Sequence, residues 1–145
     1  MIYWDTSAIL KLYVAEQDSP YFLRLLGSTQ NQIVSSTIVT MEMLCALHRK
    51  EHSGDLRPGG AEAIFRRFLA DIEMGRIVTI PYGDDLLTEA RKLVRLAFGR
   101  PRLLPVRSLD AIHVASALIS KATTLVATDK RVREMAALVH LKVLP

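Results

Sequence analysis

An α/β fold with a mainly parallel sheet is predicted by two observations. Short strand-like runs alternate with longer helical patterns along the chain, and half of its 145 residues are hydrophobic, enough for a proper core. Ile2 to Asp5 reads as a short buried strand. Ser7 to Ala15 spaces Ile9, Leu10, Tyr13 and Val14 as a helix does, and Ser19 to Leu26 forms a second helix. Gln32 to Ser35 is strand-like, and Thr37 to His52 reads as a long buried helix. A turn-rich linker, His52 to Gly60, leads to an amphipathic helix over Ala61 to Met74, a strand over Ile77 to Ile80, and a helix over Asp84 to Phe98 ended by Gly99 and Pro101. Leu103 to Val106 is ambiguous, whereas Leu109 to Lys121 is a clear helix. Thr124 to Thr128 is β-branched and strand-like, Lys130 to Val139 is helical, and Leu141 to Leu144 closes the sheet.

The length suits one domain, with no internal repeat and no low-complexity tract. A formal net charge of +4 and a pI near 9.5 favour anionic partners such as nucleic acid without identifying one. Cys45 is the only cysteine, which excludes an intrachain disulfide; its apolar helical setting predicts a packed thiol in a reducing cytoplasm. No basic leader with a long apolar core and no membrane-length apolar run occurs, so a soluble, unprocessed protein is expected.

Four carboxylates, Asp5, Glu42, Asp110 and Asp129, stand inside or at the end of apolar stretches. Asp5 is the only charged side chain between Met1 and Leu10, and Glu42 the only one between Ile33 and Leu47. Desolvating an unpaired carboxylate costs several kcal/mol, so one shared cation is the economical partner. Any of the three aspartates can instead cap a helix or serve a turn. Glu42 is mid-helix among Met41, Met43, Leu44 and Cys45, where no capping role exists; its alternative is a buried ion pair with an arginine. In an open α/β sheet, Asp5 and Asp129 fall beyond strand carboxyl ends, where functional groups gather.

Carboxylate oxygens without a Cys or His cluster suit Mg²⁺ or Mn²⁺ and not structural zinc. Without a cation such acids repel and raise one another's pKa. Phosphodiester hydrolysis fits both the acids and the basic surroundings. Arg91, Lys92, Arg95, Arg100, Arg102 and Arg107 form a stretch free of acids, and Lys130, Arg131 and Arg133 follow Asp129; they are candidates to hold a nucleic-acid backbone or are a solvated face. No Walker-type phosphate loop and no GxGxxG occurs.

The opening IYWDTSAILKLY, the stretch SSTIVTMEMLCAL, the segment SLDAIHVASAL and the ending TLVATDKRVREMAALVHLKVLP together resemble the PIN-domain ribonucleases, most of all the VapC toxins of toxin–antitoxin pairs. The resemblance covers essentially the whole chain. It implies a single PIN domain over residues 1–145, a three-layer α/β/α sandwich with a mainly parallel central sheet. It implies a Mg²⁺- or Mn²⁺-dependent endoribonuclease whose catalytic and metal-binding residues are Asp5, Glu42, Asp110 and Asp129. It further implies a VapB-type antitoxin partner and a homodimer, the alternative being a noncatalytic RNA- or antitoxin-binding module on the same fold. Thr6 and Ser7 match the family's hydroxyl residues after the first Asp; one of them can hold Asp5 or simply cap the helix. Ala127 stands where the family often has Thr, which argues against a catalytic role for Thr128. His113, three residues after Asp110, can reach the metal's surroundings or the substrate, but a packed, hydrogen-bonded histidine is the favoured reading. Tyr3, Trp4, Tyr13, Tyr21 and Phe22 can supply either a partner surface or ordinary core.

Overall fold

A computed structural model describes residues 1–28 and 32–145. Its strands are β1 (Ile2–Trp4), β2 (Ile33–Ser36), β3 (Ile77–Ile80), β4 (Thr124–Val126) and β5 (Lys142–Leu144). They form a five-stranded sheet in the order β3-β2-β1-β4-β5, with every pairing parallel. Helices α1 (Thr6–Tyr13), α2 (Ser19–Ser28), α3 (Val39–His52), α4 (Gly60–Glu73), α5 (Asp84–Phe98), α6 (Ser108–Ile119) and α7 (Lys130–Leu138) cover both faces. The segment 99–107, ambiguous in the sequence, is irregular.

Side-chain alternation along the strands creates the layers, because successive residues of a strand point to opposite faces. Tyr3, Val34 and Leu125 enter one core with Leu93, Val114 and Met135 of α5, α6 and α7. Their neighbours Trp4, Ile33 and Val126 enter the other with Ile9, Phe22, Met43 and Phe68 of α1 to α4. Trp4 is fully buried, and burying a large apolar side chain contributes roughly 1.5–3 kcal/mol. Truncating it to alanine would cost about 3–5 kcal/mol and loosen the strand that carries Asp5. Tyr3, Trp4 and Phe22 are therefore core, not partner surface.

Helix α6 is the most enclosed: every residue from Asp110 to Ala117 is buried, with small side chains against α5 and α7. Gly75, at φ 71°, takes the left-handed conformation that turns the chain from α4 into β3. Asp84 and Asp85 in the first turn of α5 and Arg95 in its last complement the helix dipole. No helix among the described residues is long and apolar enough to cross a membrane.

Candidate active site

The sheet order reverses direction at β1, which lies between β2 and β4, and chain connections leave β1 and β4 toward different helices. Crevices outside strand carboxyl ends at such a reversal are where ligands bind in open α/β sheets. A cavity of about 690 Å³ opens there, with Asp5, Glu42, Asp110 and Asp129 all in its wall.

Asp5 follows β1 directly, its backbone N–H donating to the Val126 carbonyl of β4 at 2.9 Å. Its side chain caps α1, accepting from the Ser7 N–H at 3.1 Å and from the Ser7 hydroxyl at 2.5 Å. The same Ser7 Oγ accepts from the Thr128 N–H at 2.9 Å and the Asp129 N–H at 3.3 Å. Ser7 thus ties the ends of β1 and β4 together and sets Asp5 relative to Asp129. Thr6 turns the other way and donates to Glu42 Oε2. Thr128 contributes its backbone, and its side chain does not line the cavity.

Glu42 shares a stripe of α3 with Cys45, Ala46 and Arg49, at spacings of three, four and seven residues, and this stripe faces the cavity. Cys45 on that stripe is exposed, contrary to the packed thiol expected from its apolar neighbours. The helix buries Val39, Met43 and Leu47 instead, and only three of the apolar positions per two turns can face the core. Arg49 is the residue that the sequence reading passed over; its i+7 relation to Glu42 is the signal that would have found it.

His113 is buried and hydrogen-bonded, as expected, but its partners are the acids. Its Nε2 lies 2.6 Å from Glu42 Oε2 and 3.3 Å from Asp5 Oδ1, and its Nδ1 lies 2.7 Å from the Tyr3 hydroxyl. Burial disfavours the imidazolium, yet the charge of Asp5 and then the bond and charge of Glu42 outweigh it and raise the pKa. Burial likewise opposes ionisation of Glu42, but the His113 bond and charge, helped by Thr6, hold its carboxyl below the usual range. Mutual elevation among the acids therefore fails at Glu42, because the close contact with His113 outweighs it there.

Asp110 behaves as that expectation requires. Burial raises its pKa most, and the charge of Asp129 adds to this, against the hydrogen bond from the Arg107 N–H at 2.9 Å. Asp129 caps α7 through the Arg131 N–H at 2.8 Å. The Arg131 guanidinium spans both acids, with Nη2 3.2 Å from Asp129 and Nε 3.4 Å from Asp110; Nε is buried without a hydrogen-bond partner. Capping and membership of the acidic cavity are therefore compatible at all three aspartates: Asp5 and Asp129 are N-caps, and Asp110, in the first turn of α6, accepts from the N-cap Arg107 N–H as the third residue of a capping box.

By type, these oxygen donors fit a hard divalent cation, and they share one cavity. Among the described residues, no three Asp, Glu, His or Cys side chains are drawn together closely enough to hold a metal as they stand. His113 and Arg131 already occupy one side of the carboxylates. Of the cations read from the sequence, Arg107 and Arg131 line this cavity, whereas Arg91, Lys92 and Arg95 lie exposed along α5 away from it. Arg133 is a structural brace, donating to the Ala127 carbonyl at 2.9 Å and the Pro145 carbonyl at 3.0 Å, not a free backbone-binding group.

The PIN domain family matches residues 2–138. Ribonuclease VapC46 of Mycobacterium tuberculosis is 38% identical over 118 residues, spanning 80% of this chain and 73% of that protein. Among solved structures, FitAcB from Neisseria gonorrhoeae superposes with a TM-score of 0.73 at 15% identity, covering 100% of this chain and 97% of that one. VapC20 of Mycobacterium tuberculosis, a Sarcin-Ricin loop cleaving toxin, gives 0.69 at 19% identity with both chains fully covered. VapBC2 from Rickettsia felis, bound to a DNA fragment from its promoter, gives 0.68 at 17% identity, covering 99% of this chain and 98% of that one. The parallel sheet, the acid-lined crevice at its switch point and the sequence kinship agree: the chain belongs to the PIN domain family, among the VapC ribonucleases.

Proposed function

We propose that this protein is an endoribonuclease toxin that cleaves RNA phosphodiester bonds with Mg²⁺ or Mn²⁺ and is held inactive by a cognate antitoxin in the cytoplasm. The observation that carries the reading is the convergence of four carboxylates, from β1, α3, α6 and the end of β4, on one cavity. The kinship with a VapC ribonuclease supports RNA as substrate. Solved relatives that are toxin–antitoxin complexes, one from Klebsiella pneumoniae among them, support the antitoxin partner.

Asp5, Glu42, Asp110 and Asp129 would hold the metal. When bound, a divalent cation polarises the scissile phosphate and lowers the pKa of an attacking water. Ser7 and Thr6 hold Asp5 and Glu42 in orientation, so that their carboxyls need not reorganise when substrate arrives. Arg49 and Arg107, both in the wall of the same cavity, present charge to phosphate oxygens. His113 and Arg131 balance the acids from behind, which keeps the cavity from being a bare anionic surface that would repel RNA.

The test is cleavage of single-stranded RNA by the purified protein with Mn²⁺, with EDTA, and after Asp5→Asn. Products that appear only with metal and only in the unsubstituted protein are expected. Undiminished cleavage by Asp5→Asn, or cleavage in EDTA, would overturn the assignment; RNA binding without cleavage under every metal condition would leave a noncatalytic binding module.

A further inference from the structure

The basic stretch that reads as one continuous run in the sequence is divided by the fold. Arg91, Lys92 and Arg95 project from the exposed side of α5, with Lys92 paired to Glu89 at 2.8 Å. Arg100 and Arg102 belong instead to the irregular segment between α5 and α6, anchored by Leu104 and Val106, which pack on the core. They line a second cavity of about 720 Å³, together with Lys130 at the start of α7. Asp129 and Arg131 stand in the walls of both cavities, so the acidic crevice and the basic one adjoin along the first turn of α7.

The electrostatics of the second cavity differ from those of the first. Its acids are Asp129, already bound by Arg131, and Glu134, which reaches Lys130 only at 3.7 Å on an exposed surface. Among the described residues, Arg100 and Arg102 make no ion pair. Leu103, Leu104 and Leu138 line the same cavity beside these cations and make its wall partly apolar. Free guanidinium groups beside a partly apolar wall suit a phosphate backbone whose sugars and bases pass over the dry part.

We propose that this second cavity is the path of the RNA strand on the α7 side of the cleaved bond, with Arg100, Arg102 and Lys130 holding the phosphates next to the scissile one. The proposal rests on the ribonuclease reading. It assigns a direction to the substrate: the strand leaves the acidic crevice over Arg131 toward the 99–107 segment, not along α5.

The experiment compares two variants that remove equal charge. One is Arg100→Ala/Arg102→Ala/Lys130→Ala and the other is Arg91→Ala/Lys92→Ala/Arg95→Ala; all six side chains are exposed, so both should fold, which circular dichroism checks. Affinity for a labelled single-stranded oligoribonucleotide is measured across a salt series in a Glu42→Gln background, and KM and kcat are measured without that background substitution. The first variant should bind about tenfold or more weakly at low salt, with the slope of log affinity against log salt reduced by about 2. Its KM should rise with kcat unchanged, while the α5 variant stays close to the parent in all readouts. Equal effects from both variants would reduce the result to net charge and overturn the path. So would a loss of binding to a poly-glutamate peptide with RNA affinity intact, which would assign the cavity to an acidic protein partner. Absence of cleavage in the parent would instead defeat the ribonuclease reading, and the binding comparison would still decide whether RNA follows this path.

Discussion

The two halves of the acidic cavity carry the same pair of charges but are built differently. Asp5 and Glu42 share His113, a buried and titratable ring held from behind by Tyr3. Asp110 and Asp129 share Arg131, a permanent cation whose side chain is 31% exposed. The first half joins residues from β1, α1, α3 and α6; the second is assembled from the first turns of α6 and α7. A buried network across elements is costly to break, because each lost partner leaves another polar group unsatisfied. A half-exposed arginine contributes less to stability, since water reaches and screens its outer end. The first half should therefore couple function to folding, and the second should not.

The sharpest way to break this contrast is activity. Glu42→Gln and Asp110→Asn should each lower cleavage by roughly a hundredfold or more, since both remove charge from the proposed metal site. Stability then separates them. In metal-free protein, Glu42→Gln should cost about 1–3 kcal/mol, because the charge-assisted bond to His113 is lost inside the buried half. Asp110→Asn should change stability by less than about 1 kcal/mol or raise it. The Asp110 pKa is elevated in the fold, so its ionisation at neutral pH opposes folding, and asparagine can still accept from the Arg107 N–H. Urea denaturation at neutral pH measures both. Equal losses would mean the halves are energetically alike.

His113→Ala should be the most destabilising substitution in the site, at about 3 kcal/mol, because it removes the buried partner that Glu42 and Asp5 share and leaves a cavity beside Tyr3. Added Mn²⁺ should recover part of that loss if the acids bind it, which the same denaturation curves with and without metal would reveal. Arg131→Ala should cost less than about 1 kcal/mol. Ser7→Ala lies between: losing its bonds to Asp5 and to the Thr128 N–H should cost about 1–2 kcal/mol and lower cleavage by about tenfold through misplacement of Asp5.

The smallest effect belongs to a carboxylate outside both halves. Asp71 accepts from the Tyr13 hydroxyl at 2.6 Å and pairs with Arg76, which together hold its pKa below the ordinary 3.8 against the opposing effect of burial. A lowered folded pKa means stability that is present above the unfolded pKa and lost as pH falls through the folded one. Asp71→Asn should therefore flatten the acid limb of the stability profile below about pH 4 and leave cleavage unchanged. A change in cleavage would show that α4 communicates with the cavity.

Much of this was legible without coordinates. Strand and helix positions follow from apolar periodicity, and Asp5 and Asp129 could be placed at strand ends because each directly follows a short apolar run. Glu42 could be flagged as a carboxylate among Met and Leu, although the expected mid-helix position was wrong: α3 starts at Val39, which puts Glu42 in its first turn, where it caps nothing and bonds Thr6 and His113 instead. Caps decided two helix starts: α1 begins at Thr6, one residue earlier than expected, because Asp5 caps it, and α7 begins at Lys130, as expected, because Asp129 caps it. The exposure of Cys45 was not legible, because an apolar helix read in one dimension does not say which of its faces meets the core.

By itself the sequence determined the alternation of elements, the family, and the set of acids that are out of place, because these depend on residue type, spacing and local backbone preference. Only the tertiary structure decided what stands beside each acid. That His113 lies against Asp5 and Glu42, 108 and 71 positions away, follows from the packing of α6 between the sheet and its neighbouring helices. That one run of arginines splits between α5 and a cavity beside the acids follows from the chain breaking helix at Gly99 and being pinned by Leu104 and Val106. Charge and periodicity are local properties of a chain, whereas the partner of a buried charge is set by contacts between residues far apart in it.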